Sequence, residues 1–291
     1  MDKRVLTLNF KDTLSALSDL LMPRVCLVCG RELTLREKLL CLPCSLDLPL
    51  TRFESWEHNP MADKYNERIG SSNAPFVNQI PERDYFVHKK PFWCTKCSPE
   101  TVSYTRGASG VPNLEDLYEP YQRATALLHY WHDSGYANIP QALKYGRNIE
   151  AGRYFGAMLG KRLRNSPLFA DIDLVVPVPL HWTRRLRRGY NQAEILARAI
   201  ASELSAPAAP YLLRRVRRTS TQTRKSLEEK ARNVSGAFEV RRVHTLKDIH
   251  HILLVDDVFT TGSTLTECHN ALRKVFGPDV RISLATLSYA G

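Results

Sequence analysis

Two adjacent carboxylates, Asp256 and Asp257, close the apolar run Ile252–Val255, and five small residues follow: Thr260, Thr261, Gly262, Ser263 and Thr264. A continuous apolar run reads as a strand buried in a sheet, and the chain then leaves at the strand's carboxyl edge, where open α/β sheets bind ligands. "STLTECHNALRKVF" comes next with helical spacing. The turn into that helix offers backbone N–H groups, hydroxyl donors and the positive end of a helix dipole, a setting that suits a phosphate. Gly262 lets the backbone come close to the anion. The two acids repel a phosphate, but they suit neighbouring hydroxyls or the water shell of a Mg²⁺ ion. One site would then read a phosphate and a diol, which together describe a phosphorylated sugar. The lysine of G-x-x-x-x-G-K-[ST] and the G-x-G-x-x-G pattern are both missing, which argues against a Walker loop and a dinucleotide fingerprint.

A second cluster lies in "VPVPLHWTRRLRRGYNQ". Pro177 and Pro179, on either side of Val178, restrict the turn after another apolar strand. Arg184, Arg185, Arg187 and Arg188 follow, and arginine meets phosphate oxygens with two parallel hydrogen bonds. A third cluster is Cys26-x2-Cys29-x11-Cys41-x2-Cys44, the spacing of a zinc ribbon in which four thiolates enclose a structural Zn²⁺ and leave no open position. Cys94 and Cys97 form a further half-pair, open to two readings: half of a second metal site completed by a histidine such as His88, or no site. Cys268 is expected in the core.

The elements that must position these residues alternate. Strand patterns at "RATALLHYWH", "DLVVPVPL", "PYLLRRVRR", "VSGAFEV", "HHILLVDDV" and "VRISLATLSYA" are interleaved with helical ones at "IPQALKYG", "EAGRYFGAMLGKRLRN", "NQAEILARAIASEL" and "SLEEKARN". The pattern predicts an α/β fold, a mostly parallel sheet flanked by helices, with an N-terminal zinc-ribbon module. Residues 1–50 are read as a leading helix and the cysteine module, 51–120 as a loop-rich insertion, and 121–291 as the α/β domain. No apolar run reaches the ~18 residues of a membrane span, and the first residues lack a signal-peptide pattern, so a cytoplasmic location is expected. The formal charge is +11, and residues 161–250, with 19 Lys and Arg against 8 Asp and Glu, carry all of it. A basic segment of that kind points to a polyanionic partner: a phosphorylated metabolite, a nucleic acid, or both.

"ILLVDDVFTTGST" resembles the phosphoribosyl pyrophosphate (PRPP) signature of type I phosphoribosyltransferases. With "VVPVPLHWTRRLRRGYNQAEILARAI", "TSTQTRKSLEEKARNVSGAF" and "CLVCG…CLPC", the chain resembles the ComF family over roughly residues 20–50 and 121–291. The resemblance implies a type I phosphoribosyltransferase-like fold that binds PRPP with Mg²⁺. Asp256 and Asp257 would hold the ribose hydroxyls, and Thr260–Thr264 the 5-phosphate. Val178, Pro179 and Arg188 would lie beside the pyrophosphate. It also implies a mobile loop closing over the ligand, with Thr219, Gln222, Ser226, Arg232 and Asn233 in the family's pattern. Where the family often has arginine this chain has Lys230, which keeps the charge but loses the fork. "LKYG", with Lys144, resembles a further family segment and would face the PRPP pocket or solvent. Transfer of phosphoribose to an acceptor follows as the expected activity, but no general base or base-specific pocket is visible. The family is associated with DNA uptake in natural competence. The alternative is therefore a non-catalytic protein that handles single-stranded DNA, with the same fold as a binding module and other competence proteins as partners. Its arginines and Trp131, Trp182 and Tyr190 would track a backbone and stack on bases.

Overall fold

The structure, a computed structural model, describes residues 23–70, 121–146, 148–216, 237–241 and 248–291. The leading helix expected over residues 1–24 falls almost wholly outside these. So do Cys94 and Cys97, and the loop with Thr219, Gln222, Ser226, Lys230, Arg232 and Asn233.

Among the described residues four strands form the main sheet: β1 (Ala124–His129), β2 (Leu174–Pro177), β5 (His251–Phe259) and β6 (Arg281–Tyr289), all parallel and ordered β1–β6–β5–β2. β3 (Leu213–Arg215) and β4 (Phe238–Val240) make a separate antiparallel pair. The helices are α1 (Leu42–Leu46), α2 (Pro60–Ile69), α3 (Asn138–Lys144), α4 (Ile149–Arg164), α5 (Trp182–Arg188), α6 (Gln192–Leu204) and α7 (Ser263–Phe276). The expected sheet is present, and both of its faces are covered. Along β5, Ile252 and Leu254 enter one core while Leu253 and Val255 enter the other, as the two-residue period of a strand requires.

On the first face lie α7 with Leu265, Cys268 and Leu272, the β3–β4 pair with Leu213 and Phe238, and α2 with Met61 and Tyr65. On the second lie α4 with Phe155 and Leu159, α6 with Leu196 and Ile200, and α3 with Ile139 and Leu143. α4 and α6 approach closely because glycines face the contact: a Cβ at Gly156 would stand 2.8 Å from the Cβ of Ala199. The cysteine module packs on this second face through Cys26, Leu39, Leu40 and Cys41.

The chain after β5 turns onto the first face through α7, whereas the chain after β2 turns onto the second through α6. Neighbouring parallel strands whose connections depart to opposite faces leave a crevice between their carboxyl ends. That crevice lies between Pro177–Pro179 and Asp256–Phe259.

The expectation of a loop-rich insertion from residue 51 is corrected at its start. Asn59 caps α2 by accepting from the N–H of Ala62, Pro60 occupies the first turn, and Gly70 closes it at φ 75°. The apolar periodicity is diluted because Asn59, Asp63 and Asn66 are buried too. Asn66 exchanges hydrogen bonds with the backbone of Gln122, Asn59 donates to the carbonyl of Ala124, and Asp63 accepts from Tyr121.

At the amino edge of the sheet a hollow of about 210 Å³ is lined by Gln122, Arg123, His251, Arg281 and Ser283 among others. Its polar groups satisfy one another. His251 lies 2.9 Å from Asp171 through Nδ1 and 2.8 Å from the Ser283 hydroxyl through Nε2, and Arg281 pairs with Asp171. Burial lowers the His251 pKa to about 4, against the pull of Asp173, so the ring is neutral at pH 7. Among the described residues no helix is long and apolar enough to cross a membrane.

Candidate functional site

The carboxyl edge between β2 and β5 is held by backbone bonds. The N–H of Val178 donates to the carbonyl of Val255 (2.8 Å), and the side-chain amide of Asn191 donates to the carbonyl of Val178 (3.0 Å). The Val178 side chain is buried in the first-face core, so Val178 shapes the turn rather than lining the crevice with its side chain. Pro179 is half-buried beside it.

Asp256 and Asp257 stand across this turn, both half-buried. The N–H of Asp257 donates to Oδ1 of Asp256 (2.8 Å), and Lys144 Nζ lies 3.3 Å from Oδ2 of Asp257. Lys144 thus faces the crevice. It is carried there by α3, which Tyr190 ties to the start of α6 by donating its hydroxyl to the carbonyl of Leu143 (2.5 Å). Burial pushes the Asp256 carboxyl up to about 7, and the charge of Asp257 adds to the rise; the Asp257 N–H and the cations Lys144 and Arg215 pull the other way.

The turn after β5 leads directly into α7. Gly262 adopts φ 75°, and a Cβ there would stand 2.9 Å from Cζ of Phe259 and 3.4 Å from Cδ of Arg68. Both the dihedral and the space therefore demand glycine. Gly262 caps the helix with its carbonyl, which accepts from the N–H of Thr266 (2.9 Å), and as a glycine it offers no side-chain cap to the first-turn N–H groups. Thr260 and Thr261 are exposed, and the Thr261 and Ser263 hydroxyls meet at 3.0 Å. Thr264 sits half-buried in the first turn. The side chain of Arg68 reaches this turn from α2, where the sequence predicts a loop; nothing in the local sequence around Arg68 signals that approach.

Arg188, at the end of α5, lies with its guanidinium carbon 5.5 Å from the ring centroid of Tyr145 and donates from Nη1 to Oε1 of Gln192 (3.2 Å). The structure thus gathers Asp256, Asp257 and Lys144 at the crevice, with Val178 and Pro179 on one side and the Thr260–Thr264 turn beyond the strand end. Arg188 stands close by, through Tyr145 and Tyr190. Arg185 pairs with Glu194 at 3.5 Å instead, and Arg187 is exposed.

The four cysteines converge as their spacing requires. The ligand atoms of Cys26, Cys29, Cys41 and Cys44 all lie within 4.8 Å of one another, and the sulfurs of Cys29 and Cys41 are 3.6 Å apart. Tetrahedral zinc with Zn–S bonds of about 2.3 Å sets neighbouring sulfurs just under 4 Å apart, so the set is compatible with a structural zinc. Arg31 donates to the sulfur of Cys41 at 3.2 Å. The Cys41 thiol is lowered to about 6 by the N–H of Cys44 and then by Arg31, whereas burial and then the neighbouring sulfurs push Cys44 up. The module seats against the turn at Gly135, where any Cβ would stand 2.6 Å from the carbonyl oxygen of Val28.

Comparison with known proteins supplies the family. The chain is similar to competence protein F of Haemophilus influenzae, 36% identical over 193 residues that make up 65% of this chain and 82% of that one. The chain belongs to the ComF family. The chain is also similar to the DNA utilization proteins YhgH of Salmonella typhi, 32% identical, and of Escherichia coli K12, 37% identical; each match covers 51% of this chain and 64% of the relative. No protein-family model matches the chain. Among solved structures, the adenine phosphoribosyltransferase of Leishmania tarentolae matches 52% of this chain and 74% of its own, at 15% identity and a TM-score of 0.26. So slight a likeness decides nothing.

Proposed function

We propose that this ComF protein binds PRPP at the carboxyl edge of its sheet and transfers the phosphoribosyl group to an acceptor with Mg²⁺. The observation that carries the reading is the joining of Asp256 and Asp257 to an uncovered helix start, at the point where the β2 and β5 connections part to opposite faces. The 5-phosphate would lie on the first-turn N–H groups and hydroxyls of Thr260–Thr264. The two carboxylates would accept from the ribose hydroxyls, and Asp257 would hold its place through Lys144. As pyrophosphate leaves C1, positive charge grows on the ring and negative charge on the leaving oxygens; Asp256 and Asp257 face the first, Arg188 and Lys144 the second. Magnesium fits this donor set as an ion that arrives with its ligand. Among the described residues only the cysteines form a group of three or more ion-holding side chains, so the ion would depend on PRPP oxygens with Asp256 and Asp257. When bound it would neutralise the leaving pyrophosphate. Zinc would occupy the four cysteines in a structural role.

The test is calorimetric titration of the full chain with Mg·PRPP, followed by a pyrophosphate-release assay across nucleobase acceptors. Saturable heat is expected, with affinity down about tenfold or more in Asp257→Asn, the loss of one charge-assisted hydrogen bond. Absence of heat from the wild type would refute the reading.

A second reading has its own support. α5 presents Arg185, Leu186 (75% exposed) and Arg187 outward, beside Tyr145, which is 72% exposed. The relatives carry competence and DNA-utilization names. Basic and aromatic groups together suit single-stranded DNA, with other competence proteins as partners. Affinity for oligo-dT should fall steeply with salt, and Arg187→Glu should weaken it and flatten the slope of log K against log salt by about one or more. DNA binding without any response to PRPP would favour this reading over the first.

A further inference from the structure

We propose that Gln192 is the residue that tells PRPP from ribose 5-phosphate, donating its buried side-chain amide to the pyrophosphate. The proposal rests on the PRPP reading above and assigns one more contact within it.

Gln192 opens α6 and is only 2% exposed. Its Oε1 accepts from Arg188, but its Nε2 is buried and meets no partner among the described residues. Nε of Arg188 is buried and unmatched in the same way. Two unmatched donors side by side are costly to fold, since each gives up its water and gains nothing back. They lie at a helix start that is also uncovered. The helix-capping residue Asn191 turns its side chain to the carbonyl of Val178 and makes no cap bond. The one acid in the first turn, Glu194, is taken by Arg185 and Arg198, at 3.5 and 3.0 Å. What remains at this helix end is a pair of buried side-chain donors, Nε2 of Gln192 and Nε of Arg188, with no acceptor among the described residues.

α6 packs across β2 and β5, and Asn191 pins its amino end to Val178. Tyr190 ties it to α3, whose Lys144 reaches Asp257. The strand end with the two carboxylates therefore has one uncovered helix start toward each face, α7 on the first and α6 on the second. A ligand that meets both, with a diol between, is anionic at two ends. With the 5-phosphate on the α7 turn, the pyrophosphate falls to Gln192, Arg188 and the first-turn N–H groups of α6. Ribose 5-phosphate has nothing to offer there.

The decisive variant is Gln192→Glu. It keeps an oxygen for Arg188, but replaces the donor amide with an acceptor that repels pyrophosphate. Calorimetric titrations of the full chain with Mg·PRPP and with ribose 5-phosphate are compared between wild type and variant. The expected result is a loss of about tenfold or more for PRPP with ribose 5-phosphate unchanged. Gln192→Leu, which also removes the unmatched donor, should weaken PRPP in the same selective way with no loss of melting temperature. Equal weakening of both ligands, or none, overturns the assignment while the PRPP reading stands. A wild type that binds ribose 5-phosphate as tightly as PRPP overturns it also. No heat from either ligand overturns both.

Discussion

Asp256→Asn is expected to stabilise the ligand-free protein by about 1–3 kcal/mol at pH 8 and to change it little near pH 4, while binding of Mg·PRPP is lost. The carboxyl is pushed up to about 7 by burial and then by the charge of Asp257. An unfolded aspartate titrates near 3.9, so between these values the folded chain holds a proton that the unfolded chain has released. Stability therefore falls as pH rises through that window, and the full cost of the buried charge is present above about 7. Asparagine carries no charge to bury and can still accept the N–H of Asp257 through its oxygen. The upper limit is kept modest because Asp256 is only half-buried and water screens part of the penalty. Urea unfolding of both proteins at pH 5 and pH 8 measures it. A stability difference that does not grow with pH would show that the carboxyl is not penalised by its surroundings. In the wild type the same group predicts that Mg·PRPP affinity rises between pH 6 and 8, since holding a diol by acceptance needs the ionised form.

The reason such a costly pair could be read from the chain is that it violates a simple pattern. Ile252–Val255 is apolar on both faces, so two acids immediately after it have to sit where the strand leaves the sheet. The five small residues around Gly262 then demand a helix start. Both features are local, and both elements are present. What the chain did not disclose is long-range. Arg68 comes to the Gly262 turn from a helix whose apolar spacing is broken by Asn59, Asp63 and Asn66, all three buried and each bonded to a partner at least 56 positions away, at Ala124, Tyr121 and Gln122. The signs of α2 were its punctuation, Asn59-Pro60 before it and Gly70 after it, which are cap signals independent of periodicity. Arg215 and Tyr145 are of the same kind. Each becomes informative only once β3, or the end of α3, is known to stand beside Asp256 or Arg188. The four cysteines lie at the other extreme, since two short knuckles and a fixed gap are enough to converge without knowledge of the rest of the fold.

Stripping zinc from those cysteines is expected to have the largest effect on the fold, lowering the melting temperature by about 10 °C or more and releasing one equivalent of metal per chain. Without the ion, four sulfurs within 4.8 Å cannot all be thiolates; Arg31 compensates one of them, at Cys41, and the burial that pushes Cys44 up would leave it protonated. Apart from the sulfurs, short-range bonds such as Leu27 N–H to the Leu39 carbonyl and Leu42 N–H to the Glu37 carboxylate hold the module's shape. α1 is only five residues long, and none of its residues is fully buried. Yet the damage should not stay local. Cys26, Leu39, Leu40 and Cys41 share a core with Leu127 and Leu128 of β1 and with Ile139 and Leu143 of α3, and Tyr136 donates to the carbonyl of Cys44. α3 is the element that presents Lys144 to Asp257. Metal loss should therefore loosen α3 and weaken Mg·PRPP binding from a distance, and Cys44→Ser should reproduce both effects. Mass-spectrometric metal analysis, melting curves and titration before and after a strong zinc chelator, with excess magnesium supplied throughout, measure them together. A chain that carries no stoichiometric zinc and melts at the same temperature with and without chelator would remove the metal from the account. Weakened PRPP binding with an unchanged melting temperature would instead place the coupling in α3 alone, because only a helix that has shifted without unfolding can lose the 3.3 Å contact and keep its core.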